Sequence, residues 1–320
     1  MYLQYSTILA LFLLYLAATT HAKDDQFFEC VDIYKQPSLQ HPLLKHHKLH
    51  ITMNSTRRST ICPRGMVPIQ KLRNNVNNFN AQSRVVNWAT LDTKAGSKKY
   101  HGASAVISIH KPTFRGKATR SQIWIESRAP QGLNCIMVGW AIDPEFYGDN
   151  NTRFTTYWTN DGFQRTGCAN TVCKGYIQHS PELYPGKTFD HVSAYGGHQV
   201  TASLSVIRDG PTGNWLLMSN GALVGYWPKE LFSHLGQGAD TIRYGAGTVG
   251  GAPMGNGKFP DKWNDLSKSS YFKDIKYVDA NLKSTPISEL EMVVNTPNPN
   301  CYKLNYLKDK QTITYGGSCP

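Results

Sequence analysis

Between Asp32 and Asp92 the chain carries no carboxylate. That gap removes any acid–acid pair or carboxylate-rich metal site from the early segment. Charged residues of both signs amount to only 18%, against 40% hydrophobic, which excludes a charge-rich disordered chain and permits a sizeable core. Beyond residue 22 no apolar run approaches the roughly 18 residues that a membrane helix needs. The sequence also lacks HExxH, Gly-x-Ser-x-Gly, a Walker loop and a CxxC pair. Zincin, nucleophile-elbow, P-loop and zinc-ribbon chemistry are therefore not expected. Helical periodicity is scarce too: only "PKELFSHLG", following Trp227, reads as a helical turn or two, the longest piece expected near Lys229–Leu235. No internal repeat and no low-complexity tract is present.

What the chain does contain begins with MYLQYSTILALFLLYLAATTHA. Its apolar stretch ends in Thr20-His21-Ala22, the pattern of a signal peptide, residues 1–22. The mature protein is thus expected to be secreted and extracellular. Seven cysteines suit that route, and an odd count leaves one over. Nearest-neighbour pairing without crossings joins Cys30 to Cys62, Cys168 to Cys173 and Cys301 to Cys319, leaving Cys135 free. Secretion would also make the sequons at Asn54 and Asn150 glycosylation sites. Net charge is +12. Residues 23–94, with 11 basic and 5 acidic groups, contribute as much of it as the much longer remainder. A basic stretch can bind a polyanion; docking onto the rest of the chain is the better reading here, and nucleic acid is not expected. "KHHKLH" (His46, His47, His50) lacks a fixed metal-ligand set, so no metal and no cofactor are expected.

From about Tyr100 the pattern changes. "HGASAVISIH", "SQIWIES", "CIMVGWAI", "RFTTYWT", "QVTASLSVI", "NWLLMS" and "SYFKDIKYVD" alternate or run apolar over strand length, punctuated by Gly, Pro, Asn and Asp. Many short strands without helix–strand alternation predict an all-β fold, an antiparallel β-sandwich of two sheets or a barrel. "GAGTVGGAPMGNG" has no strand-then-helix context and reads as an exposed turn or loop. Five of the seven tryptophans lie between residues 124 and 227. They are core residues by default, although a concave sheet lined with Trp and Tyr would also grip a peptide or a sugar.

The words "VDIYKQPSLQHPLLKHHKL", "CPRGMVPIQ", "YGDNNTRFTTYWTNDGFQRTGC", "GNW", "GYWPKELF", "MGNGKFP" and "SYFKDIKYVD" resemble the neprosin family of plant secreted proteins, from about Cys30 to Pro320. The resemblance implies that residues 23–94 are an activation-peptide-like pro-segment and that 95–320 form a β-sandwich of two antiparallel sheets. It also implies a glutamic endopeptidase that cuts after proline at acidic pH. Such an enzyme needs two carboxyls facing one cleft, one ionised to activate water and one protonated to donate. In the family the first glutamate stands in a strand like "IEVGW"; here that strand reads Ile136-Met137-Val138-Gly139-Trp140, with Met137 in its place. The second stands in a stretch like "EWGGE"; here it is "RYGAGT", where Arg243 and Gly247 cover both alignments.

None of these three residues can exchange a proton as an acid. The strand period places Gln122, Trp124 and Glu126 on one face, and Cys135, Met137 and Gly139 on one face, as possible groove lining. Glu126, Glu145 and Asp149 are the nearby acids that could substitute. Catalysis by Cys135 would need a histidine such as His191 or His198 brought close by the fold. Two readings result. One is a secreted, non-catalytic relative holding a peptide, a glycan or its own N-terminal segment in the groove, with Arg243 favouring an acidic partner group. The other is an active endopeptidase cleaving after proline with other acids.

Overall fold

Period-two alternation forces each strand to divide its side chains between two faces, and the chain resolves this by stacking two sheets. A computed structural model describes residues 27–49, 59–71, 87–94, 98–130 and 132–319. The expected signal peptide lies outside the described residues. In chain order the strands are β1 (Phe28–Asp32), β2 (Met66–Gln70), β3 (Asn87–Thr93), β4 (Gly102–Ser108), β5 (Ala118–Ala129), β6 (Gly132–Ile142), β7 (Arg153–Thr159), β8 (Cys168–Ala169) and β9 (Ile177–Gln178). They continue as β10 (Thr201–Arg208), β11 (Trp215–Ser219), β12 (Ala222–Trp227), β13 (Thr241–Val249), β14 (Ser270–Val278), β15 (Ser284–Pro286), β16 (Met292–Asn295), β17 (Lys303–Leu307) and β18 (Thr312–Gly316).

One sheet has seven strands in the order β16-β3-β13-β5-β6-β7-β8. The other has nine, in the order β17-β18-β14-β4-β10-β11-β12-β9, with β15 paired to β14. All the pairings are antiparallel. The architecture is thus the all-β antiparallel sandwich. The seven-stranded sheet takes in β3, residues 87–93, ahead of the boundary at 95 that the resemblance implied.

Between the sheets lie Ile123, Ile125, Ile136, Val138, Trp140, Trp215, Trp227, Tyr244 and Phe272, all fully buried. Three aromatic polar tips bridge the layers: Trp140 Nε1 donates to Ser108 O at 2.9 Å, Tyr315 OH to Ser121 Oγ at 2.7 Å, and Tyr244 OH to Lys276 O at 2.8 Å. Each removes a polar group that the core could not otherwise carry cheaply.

Among the described residues helix is limited to single turns. The longest are Pro37–Gln40 and Pro144–Tyr147 (α1), four residues each. The stretch expected to be the longest helix instead breaks into 3₁₀ turns at Lys229–Leu231 and Leu235–Gln237. Two asparagine side chains interrupt it: Ser233 N donates to Asn160 Oδ1 at 2.8 Å and His234 N to Asn134 Oδ1 at 2.7 Å.

The disulfides are Cys30–Cys62, Cys168–Cys173 and Cys301–Cys319, and Cys135 is free and buried. The N-terminal strand pair β1–β2 and the turns between its strands dock on the β9–β12 edge. Gln36, fully buried, exchanges hydrogen bonds with the Gln178 backbone at 2.8 and 3.1 Å. Ser38 Oγ donates to Tyr176 O, and Leu44 inserts into the main core. His47 contacts Tyr226 OH at 3.0 Å and lies 3.5 Å from Glu230. The described parts of the basic early segment are therefore packed on the sandwich. His46 and His47 line a cavity of about 480 Å³ with Lys48, Thr212, Lys229 and Glu230, while His50 lies outside the described residues.

Candidate functional site

The outward face of the seven-stranded sheet collects the side chains that alternate with the core. Register sets them in transverse rows. One row runs Asp92, Arg243, Trp124, Met137, Tyr157 across β3, β13, β5, β6 and β7. The next runs Thr90, Gly245, Gln122, Gly139, Thr155. On the other side of the first row, Thr241, Glu126, Cys135 and Thr159 stand opposite one another. Beyond the Gln122 row come Trp88, Gly247, Arg120 and Ala141. All five residues expected to line the groove, Gln122, Trp124, Glu126, Cys135 and Gly139, thus share this face with Met137, Arg243 and Gly247.

Asp92 and Glu126 are the only carboxyls within the seven strands of this sheet. Both converge on Arg243. Arg243 Nη1 lies 3.7 Å from Asp92 Oδ2, and Nε lies 3.4 Å from Glu126 Oε2, an ion pair without hydrogen-bond alignment. Burial raises the Glu126 pKa, Arg243 and Arg128 pull it back, and Asp92 pushes it up again; the net direction is upward. The guanidinium is engaged on both sides, which corrects the expectation of an arginine free to attract an acidic group. Glu145 and Asp149 do not join these rows: Glu145 sits on α1 at 4.0 Å from Lys117 Nζ, and Asp149 accepts from Arg153 at 2.7 Å.

Cys135 is fully buried, and burial, followed by the charge of Glu126, raises its thiol well above the ordinary range. His191 and His198 are exposed on the loop packed against Ile109. No histidine figures among the groups acting on the thiol. A thiolate nucleophile is not available there.

The Gln122 row has a different character. Gly139 and Gly245 flank Gln122, and neither tolerates a larger residue: a Cβ would come within 2.0 Å of Ser121 O and 2.2 Å of Ala89 O. The strands approach too closely there for side chains. Gln122 is 1% exposed, and neither Oε1 nor Nε2 has a hydrogen-bond partner. Asp92 Oδ1 is likewise buried without one. At the next row Arg120 bonds Asp143 at 3.1 Å and stacks 4.7 Å from the Tyr157 ring centre. Burial opposes its charge, but Tyr157 and Asp143 outweigh burial and raise its pKa.

Asp92 as a site residue and the pairing of Arg243 escaped the sequence reading. Asp92 lay in a segment read as pro-segment, although "NWATLDT" alternates Ala89 and Leu91 against Trp88, Thr90 and Asp92. The bridging role of Arg243 had no sequence signal, since its partners come from other strands. Of the expected sequons, Asn54 lies outside the described residues. Asn150 is exposed, and the Thr152 hydroxyl of its sequon donates to His110 O at 2.8 Å. Among the described residues no group of three His, Cys, Asp or Glu is placed to hold a metal ion, and no helix is long and apolar enough to cross a membrane.

A family model described as Neprosin matches residues 115–318. Among solved structures, scytalido-glutamic peptidase with a peptide-based transition-state analogue aligns at a TM-score of 0.41 and 11% identity, covering 73% of this chain and 98% of its own. SCP-B, a member of the Eqolisin family of peptidases in complex with the tripeptide Ala-Ile-His, aligns at 0.38 and 10% identity, covering 72% and 96%.

Proposed function

The chain belongs to the Neprosin family, and from that premise we propose that it is a secreted, non-catalytic relative of glutamic endopeptidases whose groove binds peptide in extended form. One observation carries this reading. The only two carboxyls in the strands of the groove sheet, Asp92 and Glu126, are both tied to Arg243, while the family glutamate positions hold Met137 and either Arg243 or Gly247. General acid–base hydrolysis needs one carboxyl protonated and its neighbour ionised. Arg243 pulls Glu126 back towards its ionised form against the burial that raises it, and its guanidinium stands between the two carboxyls. Met137 and Gly247 supply no proton at any pH.

The Gln122 amide supports peptide as the ligand, since its free donor and acceptor match the N–H and C=O of one peptide unit. Gln122 is 1% exposed, so a ligand reaches it only when the groove rearranges, and slow association is expected. Three disulfides accord with secretion. Residues 23–94 are read as an activation-peptide-like segment. Its described parts at 27–49 and 59–71 pack at the β9–β12 edge, whereas 87–93 form β3 of the seven-stranded sheet.

The test is to incubate the full mature chain with quenched proline-containing peptides between acid and neutral pH, beside an active relative. No turnover is expected. Peptide binding should weaken about tenfold in Gln122→Leu with the melting temperature retained. A second reading, an endopeptidase using other acids, draws on the raised Glu126 carboxyl and the unpartnered Asp92 Oδ1. Turnover that survives Met137→Ala and disappears in both Asp92→Asn and Glu126→Gln would establish that reading and end the first.

A further inference from the structure

Nine large apolar side chains are substantially exposed among the described residues, and three of them, Tyr195, Phe259 and Trp263, gather on one surface. Trp263 is the most exposed of the nine, at 77%. Phe259 and Trp263 belong to the 250–269 connection between β13 and β14, and Tyr195 to the neighbouring 193–200 loop. Hydrogen bonds join the two loops: Gly196 N donates to Ser267 O at 2.8 Å, and Gln199 Nε2 reaches the same carbonyl at 3.3 Å.

Each ring carries a lysine. Lys258 Nζ stands 4.9 Å from the Tyr195 ring centre, Lys262 Nζ 5.1 Å from that of Trp263, and Lys303 Nζ 4.7 Å from that of Phe259. None of these three lysines is in an ion pair among the described residues. Two carboxylates lie nearby and both are already engaged. Asp261 accepts the backbone N–H groups of Trp263 at 2.8 Å and Asp265 at 3.2 Å, and Asp265 takes Ser267 and Lys268. Lys268 offsets Asp265 and Asp261 offsets one lysine, so the exposed face combines three aromatic planes with three ammonium groups and a net positive charge.

We propose that this surface binds an acidic polysaccharide, a chain of sugar rings bearing carboxylates. A pyranose presents an apolar C–H face, which packs on the electron-rich face of an aromatic ring. Its hydroxyl rim and carboxylate stay at the wet edge, where the flexible lysine that lies over the ring swings out to form a charge-assisted hydrogen bond. An aromatic plane with a cation over one face repeats here three times. A membrane is disfavoured, because insertion would carry the rings into the acyl boundary and would strip water from ammonium groups stacked on them. The site lies on loops beyond the end of β13 and does not depend on the peptide reading of the groove.

The experiment titrates the full mature protein with oligogalacturonate by calorimetry and by Trp fluorescence. Separate arms use the carboxyl-reduced neutral oligosaccharide, a single-stranded oligonucleotide and phosphatidylserine vesicles. Binding to oligogalacturonate is expected, weakening as salt rises. It should fall about tenfold or more with the neutral sugar, with Tyr195→Ala/Phe259→Ala/Trp263→Ala, and with Lys258→Gln/Lys262→Gln/Lys303→Gln. All six side chains are exposed, so both variants should melt like the parent; if the aromatic variant misfolds, the lysine variant still decides. No binding at millimolar oligogalacturonate, equal binding by the lysine variant, or tighter binding of vesicles or oligonucleotide would overturn the proposal.

Discussion

Arg243 is the residue on which the groove turns, because it neutralises the charges of two strands at once. Its removal in Arg243→Ala would leave Asp92 and Glu126 as like charges in a poorly solvated face. The expected cost at neutral pH is about 2–4 kcal/mol. Burial already raises the Glu126 pKa and Arg243 restrains it, so the variant raises it further. A raised folded-state pKa contributes stability that is fully present below the unfolded value and is lost as pH rises through the folded one. The variant's deficit should thus be largest at neutral pH and shrink towards pH 4; thermal melts across that range would show it, and a pH-independent deficit would contradict the pairing. His110 works in the opposite direction. Burial holds it neutral and lowers its pKa from 6.5 to about 4. The stability it contributes is full above 6.5 and is lost as pH falls towards 4, about 3 kcal/mol in all. His110→Gln should flatten the stability profile in that window.

Single elements explain why one motif is so sharply patterned. In the turn from Thr159 to Cys168, the Asp161 carboxylate accepts from Gln164 N at 3.1 Å, Arg165 N at 2.9 Å, Thr166 N at 3.1 Å and Thr166 Oγ1 at 2.8 Å. Gly162 has a φ of 71°, a conformation other residues adopt at a cost. The spacing Asp-Gly-x-x-x-Thr-Gly-Cys is the wiring of one turn, closed by the Cys168–Cys173 bond. Burial opposes the Asp161 charge, but the Thr166 bonds and the Arg165 and Gln164 amides together outweigh it and lower its pKa. Asp161→Ala should therefore cost about 1–2 kcal/mol after allowance for solvent. Because a depressed pKa contributes stability only above the unfolded value, the loss should fade in acid as the carboxyl protonates. A urea midpoint that falls at neutral pH with unchanged slope would confirm the turn's role.

For the whole molecule, the N-terminal segment behaves as an edge strip for the nine-stranded sheet. Gln36 completes the hydrogen bonding of Gln178 at β9, and Leu44 fills the main core. An uncovered edge would present unpaired backbone groups for association. A chain lacking residues 23–71 is expected to melt well below the full chain and to aggregate. A melting temperature within about 2 °C of the full chain, with monodisperse behaviour, would show that the docking is dispensable.

How much of this was legible in the residues follows from the range of each physical rule. Strand runs, the all-β class, the cysteine pairs and the shared face of Gln122, Trp124 and Glu126 all rest on local periodicity or short spacing, and a linear sequence displays those directly. Strand order was not legible, because loop-closure entropy changes too slowly with length to dictate which strands become neighbours. Only the folded sheet puts β13 between β3 and β5, and so turns Arg243 from an apparently free cation into the link between Asp92 and Glu126. The same long-range pairing made a central strand of residues 87–93, whose short alternation is hidden by the polar sequence before it. The residues set which segments alternate as strands and which cysteines pair, and the tertiary pairing decided that Arg243 meets both Asp92 and Glu126.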